Sequence, residues 1–269
     1  LFFILSGYCF SFRPDEKWRT FLRKNVRALL VPYFITSVMV ICIKVVIAAV
    51  KEYGTWETLK TWWLTVVYGS GARIEEGLEN IIYPIGVIWF LLALFTGRML
   101  LRCILHSKVP WLYALLLFFV SYISTDIIWL PFSIQPGFCS VLFLYIGYAI
   151  RSGDMFNFRK IRFPLWIFTT AVWVYCIIEC GYLWMVENYY ENGLLNIIGS
   201  ICGTYTIVFV SQLIERYIPI LRKALSFLGR ITLGVMCAHL IVLDCWPRLR
   251  AMKWMNSALR FPTCLKMLL

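Results

Sequence analysis

"RTFLRKNVRALLVPYFITSVMVICIKVVIAAV", residues 19–50, decides what kind of molecule this chain is. Its first nine residues carry Arg19, Arg23, Lys24 and Arg27, and its last twenty carry one charge, Lys44. A helix rises about 1.5 Å per residue, so roughly 20 apolar residues are needed to cross a hydrocarbon layer about 30 Å thick. The run over 28–50 has that length. A cationic cluster directly ahead of such a run marks the cytoplasmic side, where Lys and Arg accumulate. The stretch therefore reads as the cytoplasmic edge of a membrane and the helix that leaves it.

The rest of the chain repeats the pattern. Hydrophobic residues make up 61% of the 269 and charged ones 15%, with mean hydropathy +0.77. A soluble domain runs nearer 45–50% and 25%. The expected class is an all-α, polytopic helical membrane protein. Spans are expected at 1–12 (partial), 28–50, 84–101, 110–130, 136–151, 163–185, 194–215 and 229–247, with a further apolar stretch from Phe261. Trp89, Trp111, Trp129, Trp166, Trp184 and Trp246 at span ends fit interfacial belts.

Loop charge supports these spans. Loop 13–27 is strongly basic, 51–83 is mostly acidic, and 98–108 is basic. Loop 131–135 is uncharged, 151–162 is basic, 186–193 carries only Glu187 and Glu191, and 216–230 is basic again. The alternation places 13–27 in the cytoplasm. Arg248, Arg250, Lys253 and Arg260 break it, because they follow the last span where the chain should lie outside. The net charge of +12 thus lies in short inner loops, which gives no support to nucleic-acid binding. Ten scattered cysteines with no CxxC pair read as small apolar packing residues, Cys176 and Cys180 included. Loop 51–83 is long enough to suggest function or partial embedding. Within it, Trp56, Leu59, Trp62, Trp63 and Val66 are spaced as the apolar side of an interfacial helix.

Several residues are candidates for chemistry. Arg19, Arg23 and Arg27 recur every four positions, which on a helix makes one guanidinium stripe at the membrane edge. Guanidinium forks suit phosphate oxygens, such as the pyrophosphate and 3′-phosphate of a coenzyme A. The same stripe also suits anchoring to anionic lipid. His239 lies mid-span, at a depth where ionisable residues tend to be functional; it would act as a proton carrier or as a neutral hydrogen-bonding partner. His106, in a basic loop, reads as solvated. Lys44 is expected to snorkel, and Asp126 and Glu179 to face an outward polar cavity or cap helix ends, with Asp244 also on the outer side. No metal-type His/Cys spacing and no phosphate-cradling Gly loop is present.

"FFILSGYCF" (2–10), the basic loop, "FLRKNVRALLVPYF" (21–34), "IWFLLALF" (88–95), "LYIGYAIRS" (144–152) and "LSFLGRITLGVMCAHLIVL" (225–243) resemble, in order and spacing, the acyltransferase 3 family of integral-membrane O-acyltransferases. The nearest likeness is to the fucose 4-O-acetylase and polysaccharide O-acetylase branch. The resemblance implies one transmembrane acyltransferase domain over 1–269, about eight spans of a fold with about ten helices. It implies acetyl transfer from cytosolic acetyl-CoA to a hydroxyl of an extracytoplasmic glycan, in the cytoplasmic membrane, with no metal. Arg23 and Arg27 inherit the donor-side role, and Arg19 extends the stripe. Ser6, Gly7, Pro32, Trp89 and His239 match motif positions. The catalytic residue stays unknown. The family's catalytic His would lie in a helix before Leu1, with Ser6 and Gly7 packing against it, so the domain is expected to be incomplete at its N-terminus and also its C-terminus, and residues 1–269 alone to transfer no acetyl group. A glycan-precursor transporter or flippase, or a non-catalytic membrane domain, is the alternative. The sequence is silent on acceptor position and oligomeric state.

Overall fold

The computed structural model of the chain describes residues 1–52, 54–72, 74, 77–78, 81–153 and 163–250, with side chains as far as residue 242. Helices dominate: α1 (Phe2–Tyr8), α2 (Trp18–Asn25), α3 (Val31–Val50), α4 (Thr55–Tyr68), α5 (Trp89–Ile104), α6 (Pro110–Ser124), α7 (Ile134–Ser152), α8 (Phe163–Glu179), α9 (Leu194–Tyr217) and α10 (Pro219–Arg250). Between α8 and α9 two short strands, β1 (Leu183–Trp184) and β2 (Tyr189–Tyr190), pair antiparallel. Four stretches are long and apolar enough to cross a bilayer: Trp18–Val50, Gly86–Ile104, Leu194–Tyr217 and Pro219–Val242. Shorter apolar helices occupy Pro110–Ser124 and Phe163–Glu179. The class is the expected one, an all-α membrane protein.

Two expected loops are helical. Residues 13–27 do not stay irregular: α2 begins at Trp18 and runs through a π turn, Val26–Leu30, straight into α3. Pro32 therefore does not open a helix but sits one turn past the π turn. It has no N–H for the carbonyl of Ala28, and its ring crowds that carbonyl; a wider turn just ahead makes the room. Residues 216–230 are likewise not a loop. α9 runs to Tyr217, Ile218 leaves the helical region at φ −126°, ψ 77°, and α10 starts at Pro219. A residue before proline is pushed out of the α region, and proline suits a first turn, so one residue suffices for the break.

The centre of the bundle is α7, which packs against α1, α5 and α6. Small residues set these contacts. A Cβ on Gly7 would strike the Leu144 carbonyl, and one on Gly147 would strike the Ile4 carbonyl. A Cβ on Gly97 would strike Ser140, and one on Gly137 would reach Thr96 Cβ at 2.8 Å. Without a hydrophobic force between helices inside lipid, such backbone-to-backbone approach is the main source of attraction. Gly7 thus meets α7, where the sequence had suggested an upstream helix. Phe3, Ile4, Leu91, Leu101, Val141 and Leu144 fill the adjoining core.

The long 51–83 connection is embedded in part. α4 packs along α3 and buries Trp62, Thr65 and Val66, while Trp56 (71% exposed) and Trp63 (55%) face outward, so its apolar side is narrower than its spacing implied. Tyr33 Oη donates to the Val66 carbonyl at 2.7 Å. Beyond α4 the chain dips among the helices: Ser70 is fully buried, its Oγ accepts from Trp129 Nε1 at 2.9 Å, and its carbonyl accepts from Ile85 N at 2.7 Å. Ser133 Oγ donates to the Gly69 carbonyl at 2.7 Å. Trp129 is therefore a buried hydrogen-bond donor, not part of an interfacial belt. It becomes one because α6 stops at Ser124. Lys44 does not snorkel either. It is buried, with Nζ 4.4 Å from the centre of the Trp62 ring, because α4 covers that face of α3.

Candidate functional site

Three of the expected cytoplasmic segments, 13–27, 98–108 and the start of 151–162, meet at one end of the bundle, where polar side chains lock them together. Arg151, in the last turn of α7, donates from Nη1 to the Tyr8 and Phe10 carbonyls, both at 3.3 Å. Arg98 on α5 donates from Nη2 to Ser6 Oγ on α1 at 2.9 Å and from Nη1 to Asn25 Oδ1 on α2 at 3.4 Å. One turn later, Arg102 is 4% exposed. Its guanidinium donates to the Glu16 backbone carbonyl, stands 3.3 Å from Glu16 Oε2, and lies 4.6 Å above the Phe21 ring. Glu16 also receives Lys24 Nζ at 2.5 Å.

These residues enclose a cavity of about 290 Å³ lined by Cys9, Arg13, Glu16, Lys24, Asn25 and Arg98, among others. Three cations, Lys24, Arg102 and Arg13, act on the Glu16 carboxylate, and a fourth, Arg98, lines the cavity with them. Glu16 is held below the ordinary carboxylate range first by the Lys24 hydrogen bond and then by the charges of Lys24, Arg102 and Arg13, against burial. It is thus a fixed anion and not a proton acceptor near neutrality. The Nε atoms of Arg98 and Arg102 are buried without a hydrogen-bond partner among the described residues. A cavity lined by Arg13, Lys24 and Arg98 against Glu16 carries surplus positive charge and is suited to an anion.

Arg19, Arg23 and Arg27 stand elsewhere. All three are exposed, while Phe21 and Asn25 form the buried side of α2. Among the described residues none of the three has a hydrogen bond or ion pair, and the cavity is lined by Lys24 in their place. Ser6 is buried and accepts from Arg98; Gly7 faces Leu144 of α7. Trp89, at the start of α5, lies 6.4 Å from the Phe3 ring and against Gly71 of the dipping segment, which makes it a packing residue between the two. His239 is exposed on α10, far in character from a buried proton carrier, and makes no hydrogen bond among the described residues; its neighbour Leu240 packs toward Gly86 instead. His106 is more than solvated: Nδ1 is 2.8 Å from the Arg102 carbonyl and its ring meets Phe12 edge-on. Asp126 and Glu179 are exposed. Cys176 and Cys180 are buried free thiols, in keeping with packing. Arg73, Glu75, Glu76, Glu79, Arg159, Lys160, Arg162, Lys253, Arg260, Cys264 and the stretch from Phe261 lie outside the described residues, as do the side chains of Asp244, Cys245, Trp246, Arg248 and Arg250.

Arg98 is the cavity-lining residue that the sequence reading passed over. Counting it in a loop from 98 to 108 hid that α5 continues to Ile104. The available signal was its i,i+4 partner Arg102 inside an otherwise apolar helical run. Among the described residues no group of three His, Cys, Asp or Glu side chains is placed to hold a metal ion.

A multi-helix membrane protein with a cationic pocket at one end of its bundle is the class that fold and site define. Comparison with known families makes this specific: the acyltransferase 3 model, described as an acyltransferase domain, matches residues 1–262. The chain belongs to that family and is a membrane acyltransferase. No curated protein and no solved structure matches it.

Proposed function

We propose that the protein transfers an acetyl group from acetyl-CoA, bound at the basic end of the bundle, to a hydroxyl of an extracytoplasmic or cell-surface glycan. The observation that carries this reading is the family match over 1–262 together with an exposed arginine stripe on α2, directly before a membrane-crossing helix. Within the family, the likeness is to the polysaccharide O-acetylase branch. Residues 1–269 constitute one such domain in the cytoplasmic membrane, with 13–27 facing the cytoplasm.

In the reaction the acceptor oxygen attacks the thioester carbonyl carbon. A base takes the hydroxyl proton, the carbonyl electrons move onto oxygen, and collapse of that oxyanion breaks the carbon–sulfur bond and releases CoA thiolate. Arg23 and Arg27, extended by Arg19, contribute to position rather than bond-making: their forks hold phosphate oxygens of the donor.

The test is direct. Full-length protein in lipid nanodiscs is given acetyl-CoA labelled in its acetyl group and a cell-surface polysaccharide. Label is expected in base-labile ester linkage on the glycan, and Arg23→Ala with Arg27→Ala is expected to weaken acetyl-CoA binding about tenfold or more. Glycan transport without label transfer would sink the reading in favour of a transporter. Unchanged donor binding in the double variant would remove the stripe from the donor site.

A further inference from the structure

We propose that the cavity between the end of α1, the 9–17 connection, α2 and α5 is a phosphate site, and that Arg98 is its principal ligand, assisted by Arg13 and Lys24. It receives phosphate oxygens of the acyl donor, and to that extent it rests on the acyl-CoA reading above.

Geometry carries the inference. The cavity holds about 290 Å³ at the charged end of the bundle. Among the described residues only one carboxylate, Glu16, lines it, and that group is committed to Lys24 and Arg102. Arg102 is spent in turn on Glu16 and the ring of Phe21. Arg98 is different. Ser6 takes one Nη at 2.9 Å and Asn25 takes the other at a long 3.4 Å, so both contacts are to neutral groups. A guanidinium whose charge faces no carboxylate, held by neutral oxygens and lining a cavity, is pre-positioned for an outside anion. The hydroxyl of Ser6 and the amide of Asn25 then serve to orient Arg98.

The stripe and the cavity are not rivals. Lys24 lines the cavity while Arg19, Arg23 and Arg27 are exposed on α2. A CoA ester carries phosphate at two separated places, its pyrophosphate and its 3′-phosphate, so one donor has groups for both.

Cys9 supplies the readout, because its exposed thiol lines the cavity. Full-length protein in phosphatidylcholine nanodiscs is treated with an anionic methanethiosulfonate reagent, and labelling is followed residue by residue by mass spectrometry. Exposed Cys103 on α5, which does not line the cavity, is the internal reference. Inorganic pyrophosphate and CoA are each expected to slow Cys9 labelling saturably and leave Cys103 unchanged. Arg98→Gln is expected to raise the half-protecting concentration about tenfold or more. Glu16→Gln removes the competing carboxylate beside Lys24 and Arg102 and is expected to lower it. No protection by either anion overturns the proposal, as does protection that survives Arg98→Gln. Protection only when phosphatidylglycerol is added overturns the donor assignment and makes the anion a lipid headgroup. Protection by pyrophosphate in a preparation that transfers no acetyl group removes the acyl-CoA reading and leaves the phosphate site standing.

Discussion

Replacing Gly147 with Ala tests how the bundle is held. The new methyl would land far inside van der Waals contact with the Ile4 carbonyl oxygen and 2.7 Å from Tyr8 N. Those are main-chain atoms of α1 and have no rotamer through which to retreat. α1 must withdraw from α7, by about an ångström at least. Such overpacking costs about 1–3 kcal/mol. The withdrawal also opens a gap beside Phe3 and Ile4, both buried. A fully buried side chain makes some tens of contacts at about 0.1–0.2 kcal/mol each, and an ångström-scale gap forfeits at least a quarter of that, so about 1 kcal/mol more is lost per side chain. The expected destabilisation is about 3 kcal/mol, with Gly7→Ala similar because its Cβ meets the Leu144 carbonyl. Gly229→Ala and Gly234→Ala on α10 are the controls: nothing lies within 4 Å of a Cβ there, so they should be neutral or slightly stabilising. Equilibrium unfolding in mixed micelles, followed by circular dichroism, reads all four. If Gly147→Ala unfolds where Gly229→Ala does, the close α1–α7 approach is wrong.

Glu16 sets the acid response of the basic end. Its carboxyl is held below its ordinary 4.5 in the folded protein, so its stabilising contribution is complete above 4.5 and is lost as pH falls through the lower folded value. The melting-temperature gap between wild type and Glu16→Gln should be widest near neutrality and narrow as pH falls below the ordinary 4.5; a gap independent of pH would refute the ion-pair role. Ser70→Ala leaves the Trp129 indole N–H without its 2.9 Å acceptor and should cost about 1–3 kcal/mol, with faster proteolysis of the dipping segment; unchanged proteolysis would argue that the segment is not embedded. Trp62→Leu and Lys44→Met, taken as a double-mutant cycle, should give a coupling of about 1–2 kcal/mol from the 4.4 Å cation–ring contact, and additive effects would refute it.

Apolar runs with cationic flanks made the fold class legible, because lipid demands helix length and the basic clusters mark where the chain emerges. Element ends were harder to read. The break at Ile218 needs only one residue before Pro219, so the basic residues that look like a loop continue a helix. In the same way α2 hides in a charged segment because only Phe21 and Asn25 on it are buried. Local spacing on α2 placed the stripe of Arg19, Arg23 and Arg27 but was blind to the cavity beside it. That cavity depends on Ser6, Asn25 and Arg98, brought together across 92 residues by packing. Lys44 and Trp129 misled for a related reason: each is covered by the dipping connection, whose burial no periodicity announces.

The α1–α7 contact also orders events in time. Arg151 reaches the Tyr8 carbonyl over a sequence separation of 143 residues. The two helices emerge from the ribosome far apart, and α2 to α6 come between them. Until α7 is synthesised, the backbone face of α1 at Gly7 lacks the Leu144 carbonyl it packs against, and Arg151 is not yet there to clamp the residues that follow. The residues that line the basic pocket, Cys9 to Arg98, are therefore all synthesised before α7, and what comes late in biogenesis is the clamp: a nascent chain stalled before Gly147 would hold Arg98 between Ser6 and Asn25 while the carbonyls of Tyr8 and Phe10 still waited for Arg151.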